Sequence, residues 1–337
     1  MSRRPAIARG ARTNVALMAL LAAAFLTGWL AFASATAPAR WSLFVHAVGG
    51  FAILALLPWK SMIARRGMDR PRPRRWASVL LGILVLLSLV AGLLHSSGVL
   101  VYWGPLTAMD FHVGAALAAV PLVVWHVVAR RIRLRTVDLS RRNLLRGGLL
   151  LAASATAYAG TEMMVRATGM PGAVRRFTGS YEAGSFTPGQ MPVSSWMFDA
   201  IPQIEPGSWH LTAGGRQWTY DELFAFDDHL TATLDCTGGF YSTQAWSGVR
   251  LDRLVGKADG VSIRVISDTG YDRRFPVESS RSLLLATRFG DQTLDAGHGF
   301  PARLVVPGGR GFWWVKWVSA IELDDLPHWW QSPFPLQ

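Results

Sequence analysis

Cysteine and charged residues are both scarce in this sequence of 337 residues. Its only cysteine is Cys236, which excludes an intramolecular disulfide and any zinc or iron-sulfur site built from several cysteines. Charged residues make up 17% of the chain and hydrophobic residues 50%, which is too apolar for two soluble domains. We therefore expect part of the chain to lie in a lipid bilayer.

Acidic residues are nearly missing from the N-terminal half. Residues 1–147 carry 19 Lys and Arg against 3 Asp and Glu, whereas residues 148–337 carry 15 against 19. The basic residues cluster in short segments between apolar runs, at Arg3 to Arg12, Lys60 to Arg75 and Arg130 to Arg146. This distribution is typical of cytoplasmic loops in a membrane protein, so the net charge of +12 does not indicate a nucleic-acid partner.

Five apolar runs reach the length of about 20 residues that a helix needs to cross a bilayer. They lie near 14–36, 42–60, 76–97, 108–129 and 146–165. With the basic clusters in the cytoplasm, everything after about 166 lies on the periplasmic or extracellular side of the cell membrane. We therefore expect an N-terminal all-α membrane bundle of five transmembrane helices over 1–166 and an exported domain over 167–337.

A segment before the fifth run, Ser140 to Arg146, is similar to a twin-arginine export signal. Two arginines at the start of a membrane helix are also ordinary topology markers. Both interpretations stay open; the export signal would suit a domain that must fold around a cofactor before it crosses the membrane.

Four histidines, His46, His95, His112 and His126, fall within the apolar runs. An ionisable residue at membrane depth is costly and indicates a functional site by default. His112 and His126 point within about 40° of each other, roughly 21 Å apart along one helix. Imidazoles on facing helices are the usual axial ligands of a b-type haem. We expect one outer haem b among His46, His95 and His112, and a second near His126 if it has a partner; the alternative for each is a polar residue bonded to a neighbouring helix.

From about residue 170 the sequence changes to short aromatic and β-branched segments separated by Gly and Pro, which is typical of a domain with many short strands. Strands are predicted over 209–212 and 217–220, around a Gly214-Gly215 turn, and over 231–235, 261–266, 302–306 and 312–323, with one short helix over 249–255.

Cys236 comes directly after one of these predicted strands and before Thr237-Gly238-Gly239. A free cysteine is most often a small buried hydrophobic residue. It could also be a nucleophile, with His210, His229 or His298 as its base, or a thiolate ligand of a soft or redox-active metal.

Several segments together, in order and spacing, resemble the molybdopterin-binding domain of the sulfite oxidase family over roughly 175–325. They are Leu234 to Gly239, Trp246 to Leu251, His298 to Gly308, Trp314 to Trp317 and Ile321 to Leu323. The resemblance implies an α+β domain of the sulfite oxidase type that binds a molybdenum-molybdopterin cofactor. It also implies the site residues: molybdenum is ligated by Cys236, and the pterin and its phosphate are contacted by His298, Arg303, Trp314, Val315 and Lys316. A phosphate dianion needs fixed cationic donors, and Arg303 and Lys316 fall on adjacent predicted strands.

The sequence departs from sulfite oxidases proper at two places. Thr237-Gly238-Gly239 stands where that family has Ala-Gly-Asn, and the upstream segment 188–193 lacks the arginine that would face sulfite. The fused membrane part is more similar to a one-chain version of the bacterial pair in which an exported molybdenum subunit reduces methionine sulfoxide with electrons from a membrane b-type cytochrome.

We therefore expect an oxidoreductase that transfers an oxygen atom on a small substrate such as an S-oxide. Its electrons would pass between molybdenum, the outer haem and a quinone or other membrane carrier. The alternatives are a sulfite-oxidising enzyme, a non-catalytic membrane-anchored binding or scaffold protein, and a membrane-anchored cysteine hydrolase.

Overall fold

The computed structural model describes residues 4–68, 75–104, 106–129, 140–194, 200–256 and 260–332, with the side chains of 4–11 and 66–68 left out. Parts of the basic segments, at 69–74 and 130–139, lie outside the described residues. The chain divides into two compact units, residues 1–31 with 37–179 and residues 32–36 with 180–337.

Unit 1 is helical, because Leu- and Ala-rich runs satisfy their backbone hydrogen bonds within a helix whether or not water is present. A two-stranded pair, β1 and β2, precedes the fourth helix. The elements are α1 (Arg4–Ala33), α2 (Arg40–Met68), α3 (Arg75–Ser97), β1 (Tyr102–Trp103), β2 (Leu106–Thr107), α4 (Ala108–Ala129) and α5 (Arg141–Ala167). Helix α3 packs along α4, and α2 packs along α5.

Four helical segments are long and apolar enough to cross a membrane: Arg12–Ala33, Ala37–Arg65, Arg75–Ser97 and Ala108–Ala129. They coincide with four of the five predicted spans. The fifth predicted span, 146–165, is also helical and lies within α5. However, α5 mixes its apolar residues with Ser, Thr, Gly and Glu162, so five membrane spans are not confirmed.

Unit 2 is built on two sheets. The elements are β3 (Tyr181–Glu182), β4 (His210–Ala213), β5 (Arg216–Thr219), α6 (Tyr220–Phe224), β6 (Asp228–Asp235), β7 (Phe240–Arg250), α7 (Leu251–Val255), β8 (Ser262–Ser267), β9 (Asp272–Pro276), β10 (Leu284–Phe289), β11 (Gln292–Thr293), β12 (Arg303–Val305) and β13 (Val318–Asp324). The first sheet has the order β11-β10-β7-β3, with β12 also paired to β10 and β6 to β7; the second has the order β5-β4-β13-β8-β9.

The core of unit 2 takes side chains from both sheets. Trp246 and Leu285 from the first sheet, and Leu211 and Ile263 from the second, are all fully buried in one cluster. Cys236 belongs to the same cluster. The end of β6 therefore rests on a packed apolar core, which holds the backbone at this cysteine in one place.

The β4–β5 hairpin forms where it is predicted. Its turn residues Gly214 and Gly215 have φ of 59° and 76°, the left-handed pair that a two-residue hairpin turn requires. Most of the other predicted strands also form, at β6, β8 and β12, and the short helix forms as α7.

The prediction of one strand over 312–323 is wrong in its first half. A 3-10 turn covers Gly311–Trp313 and β13 begins only at Val318, while Trp317 has a left-handed φ of 52°. Aromatic and β-branched residues favour strands, but here their side chains fill the core from an irregular backbone. Lys316 therefore lies on no strand, and the expectation that it and Arg303 occupy adjacent strands is wrong.

Candidate functional site

Cys236 lies in the tight turn that joins β6 to β7. Its N–H donates to the Phe240 carbonyl at 2.8 Å, and its own carbonyl accepts from the Gly239 N–H at 3.2 Å. The sulfur accepts from the Gly238 N–H at 3.4 Å and lies 3.4 Å from the Ser194 hydroxyl. With 6% of the residue exposed, this cysteine is held in place by the backbone, and its sulfur faces hydrogen-bonding groups.

Arg303, at the start of β12, is a buried cation. It is 2% exposed, and its guanidinium lies 5.6 Å from the ring centroids of both Trp246 and Trp314. Its Nη1 donates to the His298 carbonyl at 3.1 Å, while its Nε has no hydrogen-bond partner among the described residues. A buried cation with an unused donor is suited to receive an anion from outside the chain.

The pKa of Arg303 also reflects its burial. Burial lowers the pKa of its guanidinium from its ordinary value to about 10, and the nearby acidic groups of Cys236 and Asp295 act in the opposite direction. Cys236 and Arg303 are therefore close enough to interact electrostatically. The structure thus brings together the two residues that the sequence resemblance assigns to the metal and to the cofactor's phosphate.

His298 is 3% exposed and fixed at both ring nitrogens. Its Nδ1 lies 2.6 Å from a carboxylate oxygen of Asp295, and its Nε2 lies 3.1 Å from the Met191 carbonyl. Both neighbours are acceptors, so both ring nitrogens donate only when the ring carries two protons. Burial acts to raise the pKa of Asp295, but hydrogen bonds from the His298 ring and backbone outweigh it and hold that pKa below its ordinary value. The Asp295 carboxylate and the Met191 carbonyl therefore fix the orientation of the His298 ring beside Arg303.

Lys316 completes the cationic group. Its Nζ donates to the carbonyls of Ser194 and Gly297, each at 2.5 Å. A Cβ on Gly299, which has φ of 109°, would lie 3.1 Å from the Arg303 Cβ and 3.2 Å from the Lys316 Cβ. Only glycine suits this position, and its small size lets the two cationic residues approach each other.

Trp314 and Val315 connect these cations to the core. The Trp314 indole donates to the Gly309 carbonyl at 3.2 Å, and its ring covers Arg303. Val315 is fully buried, and its carbonyl accepts from the Leu304 N–H at 2.8 Å. Both residues therefore fix the backbone between Arg303 and Lys316, and Trp314 also supplies an aromatic face to the cation.

A second candidate site lies in unit 1, where His46 of α2 meets His112 of α4. Their ring centroids are 5.6 Å apart and the rings are nearly perpendicular, at 89°. The Nδ1 of His46 lies 2.8 Å from the Ala24 carbonyl, and that of His112 lies 2.7 Å from the Ser88 carbonyl. A carbonyl only accepts, so each Nδ1 carries the proton and each Nε2 keeps its lone pair. This is the tautomer that an axial haem ligand needs.

Each of these rings packs against a glycine. A Cβ on Gly28 would lie 2.9 Å from the His46 ring, and one on Gly92 would lie 3.0 Å from the His112 ring. The sequence reasoning missed both glycines. Only the pattern of small residues on helices facing a histidine could have indicated them.

The other two histidines of unit 1 have different surroundings. His95, which is 2% exposed, lies with Nε2 at 2.9 Å from the Gly179 carbonyl. The Nδ1 of His126 lies 3.3 Å from the Ser78 hydroxyl, near the other end of α4 from His112.

Comparison with known proteins bears on unit 2. The sequence profile of the family described as the oxidoreductase molybdopterin binding domain matches residues 198–330. The chain carries an oxidoreductase molybdopterin-binding domain of the sulfite oxidase type. The expectation of a molybdopterin-dependent oxidoreductase is confirmed for this domain.

The chain has relatives of two kinds. Mitochondrial sulfite oxidase of Rattus norvegicus is 28% identical over 175 residues, which are 38% of this chain and 32% of that protein. The chain thus spans about a third of the length of the sulfite oxidases it matches. The putative protein-methionine-sulfoxide reductase subunit YedZ1 of Azospira oryzae is 30% identical over 138 residues, 36% of this chain and 52% of that protein. The crystal structure of the sulfane dehydrogenase SoxCD from Paracoccus pantotrophus matches 37% of this chain and 40% of that chain at 25% identity, with a TM-score of 0.35.

The residues of the molybdopterin-binding domain fit its cofactor chemically. A phosphate dianion needs fixed cations, and Arg303 and Lys316 provide two, of which Arg303 has an unused donor. Molybdenum is suited by a soft thiolate, and Cys236 offers one within electrostatic reach of Arg303. Sequence reasoning missed Asp295, although an aspartate three residues before His298 matches the spacing of a cap that accepts a backbone N–H.

Proposed function

We propose that this chain is a membrane-anchored molybdenum oxidoreductase. It transfers an oxygen atom on a small substrate, an S-oxide or a similar compound, and exchanges electrons with a membrane haem b and a quinone pool. Residues 1–166 form the cytochrome b-like membrane part in this proposal, and residues 167–337 form the exported catalytic part. Relatives that include sulfite oxidases and a putative methionine-sulfoxide reductase subunit support an oxygen-atom transfer at sulfur.

One observation carries the proposal: the buried guanidinium of Arg303 has an unused donor and interacts with Cys236. In the unloaded chain such a cation is unfavourable, because burial removes its hydration without providing an anion. A cofactor phosphate would supply that anion. We assign phosphate binding to Arg303 and Lys316, and contact with the pterin to His298, whose ring is fixed beside them.

The remaining site residues bind and orient. Cys236 would ligate the metal, with its thiolate held by the turn at the end of β6. Trp314 and Val315 would keep the backbone between the two cations in place. When bound, the molybdenum cofactor supplies the two-electron oxygen-atom transfer, while the chain contributes the ligand, the phosphate contacts and a site from which water is largely excluded.

The histidines of unit 1 support the haem assignment. His46 and His112 have perpendicular rings 5.6 Å apart, and both Nε2 atoms are left for a metal. The two rings come from different helices and contact each other, so His46 and His112 would hold the iron of an outer haem b. In this assignment His95 is a structural neighbour, and His126 is a ligand only if a second haem is present.

Substrate class follows from the segment upstream of Cys236. Pro188 to Val193 provides the Met191 carbonyl to His298 and contains no cation to face an anionic substrate. A neutral S-oxide therefore suits the site better than the sulfite anion. Sulfite oxidation is the second candidate, since sulfite oxidases are among the relatives.

The test uses the full chain purified in detergent from cells that make the cofactor. We expect turnover of S-oxides or N-oxides with reduced viologen as the electron donor, and little sulfite-dependent reduction of an acceptor. Cys236→Ser should abolish turnover, whereas Arg216→Gln, which changes an exposed pair with Glu222, should leave it unchanged. A chain with its full complement of molybdenum and pterin that turns over none of these substrates would overturn the proposal.

A further inference from the structure

A buried ion pair lies directly beside Cys236. One carboxylate oxygen of Asp235 is 3.0 Å from the Nη1 of Arg310, with side chains 0% and 4% exposed. The Ser180 hydroxyl donates to the same carboxylate oxygen at 2.6 Å. The backbones of Asp235 and Arg310 also form a parallel bridge. The final residue of β6 is therefore joined to the segment after β12 by both its side chain and its main chain.

The same guanidinium reaches the cysteine itself. The Nη2 of Arg310 donates to the Cys236 carbonyl at 3.2 Å, which also accepts from the Gly239 N–H. Both lone pairs of that carbonyl are thus occupied. A Cβ on Gly311 would lie 3.2 Å from the Cys236 Cα, so the following residue closes the remaining side. The cysteine peptide is confined by the turn, by Arg310 and by Gly311.

Stability is a weak explanation for this pair. Two charges removed from water recover little net free energy, and buried pairs are often replaceable by apolar residues without loss. What a guanidinium offers here is geometry, because one planar group contacts two partners in a fixed orientation. Its Nη2 donates to the carbonyl of residue 236, and its Nη1 lies in ion-pair contact with the carboxylate of residue 235.

We propose that Arg310 and Asp235 are positioning residues that set the orientation of the Cys236 thiolate toward molybdenum. The inference rests on the proposed function, in which Cys236 is the metal ligand. Neither residue is assigned contact with the metal, the pterin or the substrate; both act through the Cys236 peptide.

The sharpest variant is Arg310→Lys, which keeps the positive charge but cannot hold both acceptors with one planar fork. We expect its pterin and molybdenum contents to match those of the unmodified chain, because Arg303 and Lys316 bind the phosphate separately. We also expect a broadened or doubled electron paramagnetic resonance signal from the half-reduced metal. Turnover should fall about 10-fold to 100-fold with KM unchanged, which is the range for a small misplacement of a reacting group.

Arg274→Lys is the matched control. Arg274 also forms a largely buried ion pair, at 2.7 Å from Asp324, but on the second sheet and with no recorded contact to Cys236. Its signal and turnover should equal those of the unmodified chain. If Arg310→Lys loses the pterin, the paramagnetic resonance signal and turnover are measured on Asp235→Asn instead. Loss of pterin from both variants would show that the pair is a folding element and would overturn the proposal.

Comparison with Cys236→Ser distinguishes failure of the positioning role from failure of the proposed function. If Cys236→Ser alters the metal signal and Arg310→Lys does not, the positioning role is wrong and the proposed function stands. If neither variant alters the signal, Cys236 is no ligand and the proposed function fails as well.

Discussion

The buried cation Arg303 allows a prediction about stability as well as cofactor binding. Burial lowers the pKa of this guanidinium from its ordinary value to about 10. At about 1.4 kcal/mol for each pKa unit, the folded chain without cofactor disfavours this charge by about 3 kcal/mol. Because the folded pKa lies below the unfolded one, this penalty is fully present below about pH 10 and fades as the pH rises from there toward the ordinary pKa of arginine.

Replacing Arg303 by Met removes that penalty together with the favourable contacts of the guanidinium. The lost contacts are a charged hydrogen bond to the His298 carbonyl, about 1.5–3 kcal/mol, and two aromatic faces, about 0.5–1 kcal/mol each. The two effects nearly cancel, so we expect Arg303→Met to change the unfolding free energy of the cofactor-free chain by less than about 2 kcal/mol. In the loaded chain a buried phosphate would lose its cation, at a cost of about 3–5 kcal/mol. At 1.4 kcal/mol for each factor of ten, cofactor affinity should fall by about 100-fold to several thousand-fold.

The assay compares full chains in detergent from cells with and without the ability to make the cofactor. Thermal unfolding reports the stability of each form, and the pterin retained after dialysis reports affinity. Arg274→Met, which breaks the remote pair with Asp324, should lower the stability of both forms equally and retain the pterin. If Arg303→Met destabilised the cofactor-free chain as much as the loaded one, Arg303 would be a structural residue and the reasoning would be refuted.

Three further predictions concern other parts of the chain. Cys236→Ser should retain most of the pterin, which is bound through other residues, yet lose nearly all oxygen-atom transfer; normal turnover would make the cysteine a bystander. His46→Ala and His112→Ala should each remove most of the b-type absorption spectrum, whereas His126→Ala should leave it if there is one haem; an unaltered spectrum in the His112 variant would exclude that ligand. A reporter fused after Gln337 that works only outside the cytoplasm should be active, and activity of a reporter that works only in the cytoplasm would contradict the export assignment.

Local signals in the sequence predicted local structure well. The Gly214-Gly215 turn is recognisable because two left-handed residues between alternating segments have few other uses. Long apolar runs likewise predict helices that are able to cross a membrane, because this ability depends only on the length and composition of the segment. The 312–317 segment failed for the opposite reason. Its aromatic residues favour a strand, but tertiary packing determines their backbone, as the left-handed Trp317 demonstrates.

The residues of the candidate site also divide into those that a local sequence pattern indicates and those that it does not. Cys236, His298 and Arg303 could be predicted because they lie within short sequence segments that resemble those of the sulfite oxidase family. The link from Arg310 to the Cys236 carbonyl spans 74 positions, and nothing in the spacing of the two residues indicates it. The contacts of Gly28 with the His46 ring and of Gly92 with the His112 ring also join different helices. Such contacts depend on how elements pack, which a single sequence does not encode in any short pattern.

Binding of the molybdenum cofactor at Cys236, Arg303 and Lys316 is tested most directly by the metal and pterin content of the full chain purified from cells supplied with molybdenum. We expect molybdenum and pterin in equal amounts, both retained through gel filtration, because Cys236 holds the metal while Arg303 and Lys316 hold the phosphate. A folded chain from such cells that contained neither molybdenum nor pterin would contradict it.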